Sequence, residues 1–305
     1  MHQPNTVSSV DARSRSRLTM ALGLAILSTA GFAAMHALVR HVSGSVHPFE
    51  IAFFRSLFGL VAILPLLLRA GPSILKSQRP GLLAIRGLLS AASMLCWFYG
   101  LSMTPIATAT ALSFTNVLFG SIGMALFLGE RMRVRRWSAV ALGFVGMMLI
   151  VRPGFTSVDH GTGMVLISAV LWGISLVIVK MLLRTDGTVT VVAWAAISLT
   201  IATAVPAYTV WQWPSLEDLA WLALIGTLAT AATLGWTYAL KSAEGTLIIP
   251  LDFTRLVWAG AIGFLVFSEI PDAWTWTGSG LIVASTLYIA IREGRLARAG
   301  RAPSR

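Results

Sequence analysis

Two oppositely charged residues stand inside an otherwise apolar stretch of the sequence. Asp252 and Arg255 are three positions apart, so on a helix they share one face and lie close enough to pair. Charged groups within an apolar span are costly and tend to be functional, which makes Arg255 a candidate for a substrate carboxylate and Asp252 for an amine. The alternative is a buried structural pair that only fixes the helix.

A matching polar pair occurs in an earlier apolar stretch. Ser113 and Asn116 have the same spacing as Asp252 and Arg255 and occupy the corresponding positions of the repeat described below. Together the two stretches would place a polar patch near the middle of a membrane. His36 lies in the first apolar stretch, where it either binds substrate or, as is more common, hydrogen-bonds a neighbouring helix.

Aromatic side chains deep in the apolar stretches are further candidates, with ordinary packing as the alternative for each. Trp97 and Tyr99 are two positions apart, as are Trp236 and Tyr238, so each pair points to nearly opposite sides of a helix. A cavity lined by aromatic faces would suit flat apolar ligands. The predicted substrate-binding residues are His36, Trp97, Tyr99, Ser113, Asn116, Trp172, Tyr238, Asp252 and Arg255.

Two other arginines lie near the ends of apolar stretches. Arg55 is predicted to lie close to the outer surface and to pair with Glu50, and Arg86 is predicted to extend to the cytoplasmic surface. The sequence contains neither a Gly-x-x-x-x-Gly-Lys-Ser/Thr loop nor a His-Glu-x-x-His motif, and its single cysteine, Cys96, excludes an intrachain disulfide. We therefore predict a protein that is not an enzyme and binds no metal or cofactor.

The composition of the chain is that of a membrane protein. Of its 305 residues, 56% are hydrophobic and 11% are charged, and the mean hydropathy is +0.78. Soluble domains carry about 25% charged residues and rarely expose large apolar patches. A soluble enzyme, a nucleic-acid-binding domain and a disordered chain are therefore disfavoured, and a polytopic helical membrane protein is predicted.

Ten apolar segments approach the roughly 20 residues that a helix needs to cross a bilayer. Short loops join them, so neighbouring helices must pack antiparallel, and the first segment is interpreted as an uncleaved span. The segments cover residues 20–40, 50–68, 80–101, 106–128, 137–151, 161–183, 189–211, 217–240, 246–267 and 274–291.

The basic residues predict the orientation of these segments. With the N-terminus in the cytoplasm, most of the 23 Lys and Arg residues fall in cytoplasmic segments, whereas Arg40 and Arg152 fall in outer loops. This bias accounts for the net charge of +11 without nucleic acid as a partner. Both termini are then cytoplasmic, which agrees with an even number of spans.

The second half of the chain repeats the first at a constant offset. Residues 95–101 align with 234–240, and Leu112, Phe114, Thr115 and Glu130 align in order with Leu251, Phe253, Thr254 and Glu269. Each half holds five segments, so the second half enters the membrane from the opposite side. Inverted repeats of this kind are typical of secondary transporters, with a static scaffold as the alternative.

This architecture resembles the drug/metabolite transporter superfamily, and within it the EamA type. The resemblance rests on the two five-segment halves and on four short stretches, namely Tyr99-Gly100-Leu101, Tyr238-Ala239-Leu240, Gly129-Glu130 and Ser268-Glu269. Within that group the chain is similar to YddG-type exporters of aromatic amino acids, which implies such amino acids as substrates. One departure is Ala111 in place of Pro250, so only the ninth segment is expected to contain a proline-softened helix.

The sequence thus predicts an all-α polytopic membrane protein with ten transmembrane helices in two inverted five-helix repeats, residues 20–151 and 161–291. A cytoplasmic tail (1–19), an external linker (152–160) and a basic cytoplasmic tail (292–305) complete the predicted organisation. The predicted partners are the lipid bilayer of the inner membrane and a small amphipathic metabolite, with no nucleic acid. The oligomeric state stays open, with a monomer as one reading.

Three alternatives remain for the function. They are a drug or nucleotide-sugar transporter of the same fold, a non-transporting scaffold, and an intramembrane enzyme. Of the 12 acidic residues, Asp252 is the one clearly within a span, so facilitated diffusion or weak coupling is favoured over obligatory proton antiport.

Overall fold

The computed structural model describes residues 6–71, 75–128, 134–152, 159–182, 184–242 and 248–299, and these residues are organised as helices joined by short loops. A 3₁₀ turn, Ile249–Phe253, lies between the ninth and tenth α-helices. The α-helices are α1 (Thr6–Val42), α2 (Pro48–Ala70), α3 (Pro80–Met103), α4 (Ile106–Ser113), α5 (Asn116–Leu128), α6 (Val134–Val151), α7 (His160–Leu182), α8 (Thr188–Thr209), α9 (Leu216–Ser242), α10 (Thr254–Phe267) and α11 (Ala273–Ala299).

Seven helices of the described chain are long and apolar enough to cross a membrane, when α4 and α5 are taken together as Ile106–Leu128. A further apolar helix, Trp137–Val151 in α6, is shorter. The prediction of an all-helical, multi-pass membrane protein is confirmed. The crossing of the membrane by all ten predicted segments stays a prediction, because α10 and α11 are not among the seven. Helix α1 begins within the predicted N-terminal tail, and α11 extends into the predicted C-terminal tail.

Polar caps begin the helices that start at one end of the bundle. The Ser215 hydroxyl accepts a hydrogen bond from the Asp218 amide at 3.0 Å at the start of α9, and Asp272 Oδ1 accepts one from the Thr275 amide at 2.8 Å at the start of α11. Hydrogen bonding from Thr275 lowers the pKa of Asp272 below its ordinary value, and hydrogen bonding from Ser215 does the same for the pKa of Asp218. Asp159 caps α7 in the same way, through the Thr162 amide at 2.6 Å.

The loops meet at two opposite ends of the bundle, which we name after the predicted orientation. At the outer end, the Ser45 hydroxyl contacts Asp218 Oδ1 at 2.7 Å, and Arg152 pairs with Asp272 at 2.6 Å. At the inner end, the Gln78 amide donates to Asp186 Oδ1 at 3.0 Å. The loops assigned to one side from the sequence therefore contact each other.

Both the fourth and the ninth predicted segments are interrupted, whereas the sequence predicted a proline-softened helix only in the ninth. The first interruption follows α4 at residues 114–115, and the second is the turn Ile249–Phe253. In each, a threonine hydroxyl donates to the carbonyl three residues earlier: Thr115 to Leu112 at 2.6 Å and Thr254 to Leu251 at 2.7 Å. These side-chain bonds compete with the backbone ladder. The ninth interruption also contains Pro250, which has no N–H, and it is the longer of the two.

Small residues allow the closest helix contacts. A Cβ added at Gly146 in α6 would lie 2.6 Å from the Gly278 carbonyl oxygen in α11, so both positions require glycine. The Gly143 position is equally crowded, by Leu118 and Ser285. Such contacts are the usual basis of helix association in a membrane. Gly143 therefore packs closely against both neighbours, whereas nothing lies within 4 Å of a Cβ added at Gly280.

The buried apolar residues are arranged differently in the two halves of the bundle. Near the outer end they form one large cluster that joins the C-terminal part of α1, the start of α2, the end of α3, all of α4 and the starts of α7 and α9. Toward the inner end the described buried residues form three smaller clusters. These link α1 with α9, α3 with α7 and α8, and α5 with α6. The bundle is thus closed at its outer end and divided at its inner end.

Candidate functional site

Three ionisable side chains approach each other beneath the closed outer half. His36 in α1 is 7% exposed, and the positive charges of Arg255 in α10 and Arg55 in α2 both act on its ring. The His36 ring also packs edge-on against Trp97 in α3, with 5.1 Å between centroids. At 1.5 Å per residue, His36, Arg55 and Trp97 each lie about 10 Å from the outer ends of their helices. We call His36, Arg55, Arg255 and Asp252, together with the adjoining Trp97, the interior charged group.

The Asp252–Arg255 pair predicted from the sequence is present, but it is loose. The closest nitrogen and oxygen atoms are 3.5 Å apart, longer than a strong charge-assisted hydrogen bond. The Arg255 guanidinium carbon also lies 5.0 Å from the ring centroid of Phe114, a cation–π contact. Its Nε atom is buried and has no hydrogen-bond partner. Arg255 therefore keeps hydrogen-bonding capacity that Asp252 does not use.

Phe114 and Phe253, aligned by the repeat, meet at the centre of the molecule. Their ring centroids are 4.9 Å apart, with planes at 53°. Each ring lies beside the interruption of its own segment, so the two interruptions face each other. Transporters whose sites are built from discontinuous helices bind their ligands at interruptions of this kind.

The structure corrects the predicted partner of Arg55. Glu50 does not pair with it; its Oε1 atom instead accepts a hydrogen bond from the Gln212 amide at 2.8 Å. Within the described chain the Arg55 guanidinium makes one polar contact, from Nη1 to Met94 Sδ at 3.8 Å, and its Nε is buried without a partner. Arg86, the other arginine near a span end, donates to the Val191 carbonyl at 3.0 Å.

The tryptophans of the two halves face inward. Trp236 in α9 packs against the inner cluster that joins α1 and α9. On α7, Ser168 contacts α3 and Gly173 contacts α5, and at about 100° per residue Trp172 falls between these two faces. Its side chain is nonetheless 42% exposed, so neither neighbouring helix covers it.

The tyrosines of the two halves point away from the interior charged group. Tyr238 is 46% exposed and continues a stripe of exposed α9 residues that includes Leu224 and Leu234. This stripe runs the length of α9, including the closed outer half, so it faces the membrane. Tyr99 lies on the opposite side of α3 from Trp97, beside Phe49, with 6.2 Å between ring centroids. The structure thus does not bring Tyr99 or Tyr238 to the interior charged group.

The remaining predicted site residues lie at the first interruption. The Ser113 hydroxyl donates to the Thr110 carbonyl at 2.7 Å, which occupies its hydrogen. Asn116 is half-buried at the start of α5. A Cβ added at Gly173 in α7 would lie 3.0 Å from the Asn116 carbonyl oxygen. These residues border the centre without forming a charged site.

An ionic contact closes the outer end above the group. Arg40 pairs with Glu269, with 2.7 Å between Nη2 and Oε1, and also donates to the Thr104 carbonyl. Glu269 Oε2 accepts a hydrogen bond from the Ile106 amide at 2.9 Å, so it caps the start of α4. One carboxylate therefore ties together α1, α4 and the end of α10. Glu130, which the repeat aligns with Glu269, lies outside the described residues.

Sequence reasoning missed two residues of this region, Arg55 and Trp236. The alignment of Trp97 with Trp236 in the repeat is the signal that identifies Trp236. Arg55 carried no comparable pattern, because its distance from the span end suggested a surface position.

The fold and this interior group define a multi-pass membrane protein with a charged centre enclosed between helices, an arrangement expected of a transporter. The comparisons agree. The EamA-like transporter family matches residues 19–152 and 160–291, so the chain contains the repeat twice. This protein belongs to the EamA-like transporter family, as the sequence predicted.

Alignments with related transporters extend over most of the chain. It is 28% identical to an S-adenosylmethionine uptake transporter of Rickettsia bellii, over 90% of this chain and 94% of that one. It is 32% identical to a riboflavin transporter of Rhizobium johnstonii, over 81% and 82%, and 29% identical to a pseudopaline exporter of Pseudomonas aeruginosa, over 88% and 94%. A solved crystal structure covers 92% of this chain and 99% of its own at a TM-score of 0.59 and 18% identity, which shows a shared fold.

Proposed function

We propose that this chain is a secondary transporter that carries a small amphipathic metabolite across a bacterial inner membrane by alternating access. The observation that carries the proposal is the position of the interior charged group. It lies under a closed outer half and borders a divided inner half, as expected of a site exposed to one side at a time.

The two halves are proposed to be inverted five-helix repeats, residues 20–151 and 161–291, joined by an external linker at 152–160. The aligned interruptions at Thr115 and Thr254 and the contact between Phe114 and Phe253 support this arrangement. Both termini are placed in the cytoplasm. Reporter fusions should read cytoplasmic at residue 185 and external at residue 271, and both sites on one side would contradict the inversion.

The proposed substrate combines a flat apolar part with a charged head group. Trp97, Trp172 and Trp236 supply inward aromatic surface, and Asp252 and Arg255 supply opposite charges. Aromatic amino acids belong to this class, and the named relatives widen the field to larger metabolites. Both uptake and export occur among those relatives, so the direction is a matter for experiment.

Counterflow into proteoliposomes that contain only the purified chain tests the proposal. A panel of radiolabelled tryptophan, S-adenosylmethionine and riboflavin should reveal at least one substrate that exchanges against its unlabelled form. We expect exchange to continue when the pH gradient is collapsed, because Asp252 is the one carboxylate of the interior charged group. Lack of exchange by an extended metabolite panel would favour the scaffold alternative.

A further inference from the structure

Arg55 differs from the other arginines of the described chain that are not fully exposed. Arg40, Arg152 and Arg255 each lie within ion-pair distance of a carboxylate, and Arg86 donates to a backbone carbonyl. Among the described residues, the Arg55 guanidinium has neither kind of partner, and its one polar contact is with the sulfur of Met94. A thioether is a weak acceptor and does not balance a positive charge.

An unbalanced buried cation is costly to a protein unless another group compensates it. The Arg55 guanidinium lies beside the side chain of Met94 on α3, and its Nε atom is buried, so water screens its charge less than at the surface. The residue nevertheless lies on the side of α2 that faces the other helices. No carboxylate of the described residues lies within ion-pair distance of it, so a ligand is a possible source of the compensating anion.

Single nitrogen atoms of the neighbouring groups also lack a hydrogen-bond partner among the described residues. His36 Nδ1 and the Nε atoms of Arg55 and Arg255 are buried without hydrogen-bond partners in the structure. Asp252 is the one carboxylate of the interior charged group, and it lies within ion-pair distance of Arg255 and not of Arg55. Arg55 is therefore the guanidinium with which a ligand carboxylate would pair.

We propose that Arg55 binds a carboxylate group of the transported metabolite, beside His36 and Arg255. The planar guanidinium fork matches a carboxylate in two parallel hydrogen bonds. Asp252 then remains available to a positively charged group of the same molecule, so that an α-amino acid head group satisfies both. The inference rests on the proposed transport function and names the chemistry that its substrate must share.

Binding to the purified full-length chain in detergent, without anionic lipid, tests the assignment. Three matched probe pairs differ in the carboxylate alone: tryptophan and its amide, indole-3-acetate and its amide, and S-adenosylmethionine and its decarboxylated form. Each carboxylate should bind more tightly than its counterpart. Arg55→Gln should weaken the carboxylates by about 10- to 100-fold and leave their counterparts unchanged, as expected for a charge-assisted hydrogen bond.

Two further variants separate charge from geometry. Arg55→Lys keeps the charge but not the fork and should show an intermediate loss. Arg86→Gln removes an arginine that is bound to a carbonyl away from this group, and carboxylate affinity should not change. Because ligand-free Arg55 is uncompensated, Arg55→Gln should unfold no more easily than the wild type, whereas a structural arginine would lower the melting temperature on replacement.

Several results would overturn the inference. One is that carboxylates and their amides bind equally well. Another is that Arg55→Gln leaves the affinity for carboxylates unchanged. The third is that the protein binds inorganic phosphate but none of the carboxylates. Counterflow without any preference for carboxylates would leave the transport function standing and remove the anion site. Carboxylate binding that depends on Arg55, without counterflow of any compound, would leave the anion site standing and remove the transport function.

Discussion

Both repeats contribute to the outer half and to the inner half of this bundle, but the two halves are packed differently. In the outer half, one continuous cluster and the Arg40–Glu269 pair join helices of both repeats. In the inner half, three separate clusters each join two or three helices and leave Trp172 substantially exposed. In the proposed inverted arrangement of the repeats, the packing that closes one end is also available to the other, which is the physical basis of alternating access.

The largest expected effect comes from breaking the outer closure at Glu269. The side chains of Arg40 and Glu269 are 20% and 12% exposed, so Glu269→Gln leaves a largely buried guanidinium without its partner. The cost is about 3 kcal/mol of unfolding free energy. Thermal unfolding of the purified variant measures it, and the Arg40→Gln, Glu269→Gln double variant should recover part of the loss. Wild-type stability of the single variant would mean that the pair does not hold the outer end closed.

Arg255 tests whether the centre binds substrate or only balances Asp252. We expect Arg255→Ala to reduce transport by about 10- to 100-fold while the amount of folded protein changes little, because the existing pair is loose. Uptake per unit of purified protein is the measurement. If instead the Asp252→Asn, Arg255→Gln double variant transports at the wild-type rate, the pair is structural, and the aromatic residues and Arg55 are the remaining site.

Each repeat carries a tryptophan and a tyrosine two positions apart, and the two side chains can be compared for their effect on transport. Trp97→Ala and Trp236→Ala should each change the KM for a flat substrate by several-fold, since stacking between an aromatic side chain and an aromatic ligand contributes about 1 kcal/mol. Tyr99→Ala and Tyr238→Ala are matched controls that should leave the KM within twofold. A larger change in KM for Tyr238→Ala than for Trp236→Ala would mean that the substrate contacts the face of α9 that carries Tyr238, which would contradict the account.

The smallest effect is expected at the second outer pair, Arg152–Asp272. Its side chains are 33% and 41% exposed, so Asp272→Asn should cost no more than about 1 kcal/mol. Because the folded-state pKa of Asp272 is lowered, its contribution is present above the ordinary carboxyl pKa and is lost as the pH falls through the lowered value. The stability difference between Asp272→Asn and the wild type should therefore be constant from pH 5 to pH 8 and shrink under acid conditions.

The span positions and the repeat could be predicted from sequence because they depend on local composition and on aligned residues. Leu112, Phe114 and Thr115 matched their counterparts, and the helix interruptions occur at those positions. The direction of Arg55 could not be predicted, because depth along a helix does not determine which face is buried. Nor could the sequence separate Trp97 from Tyr99; packing of α3 against α1 decides which one faces inward.

The narrower prediction of aromatic amino acid export was not supported by the comparisons, whose named relatives carry other metabolites. The physical reason is that an aromatic-lined, charged centre fits any flat metabolite with a suitable head group. Substrate choice depends on a few side chains around that centre, which family resemblance does not specify.

The central claim, that the interior site opens at the inner end, is tested most directly by labelling a cysteine at Trp172. In a Cys96→Ala background, Trp172→Cys should react with a membrane-impermeant maleimide in inside-out vesicles and not in right-side-out vesicles, and substrate should slow the reaction. Tyr238→Cys, on the membrane face of α9, is the control and should react in neither. Labelling of Trp172→Cys only from the outside, or from neither side, would contradict the account.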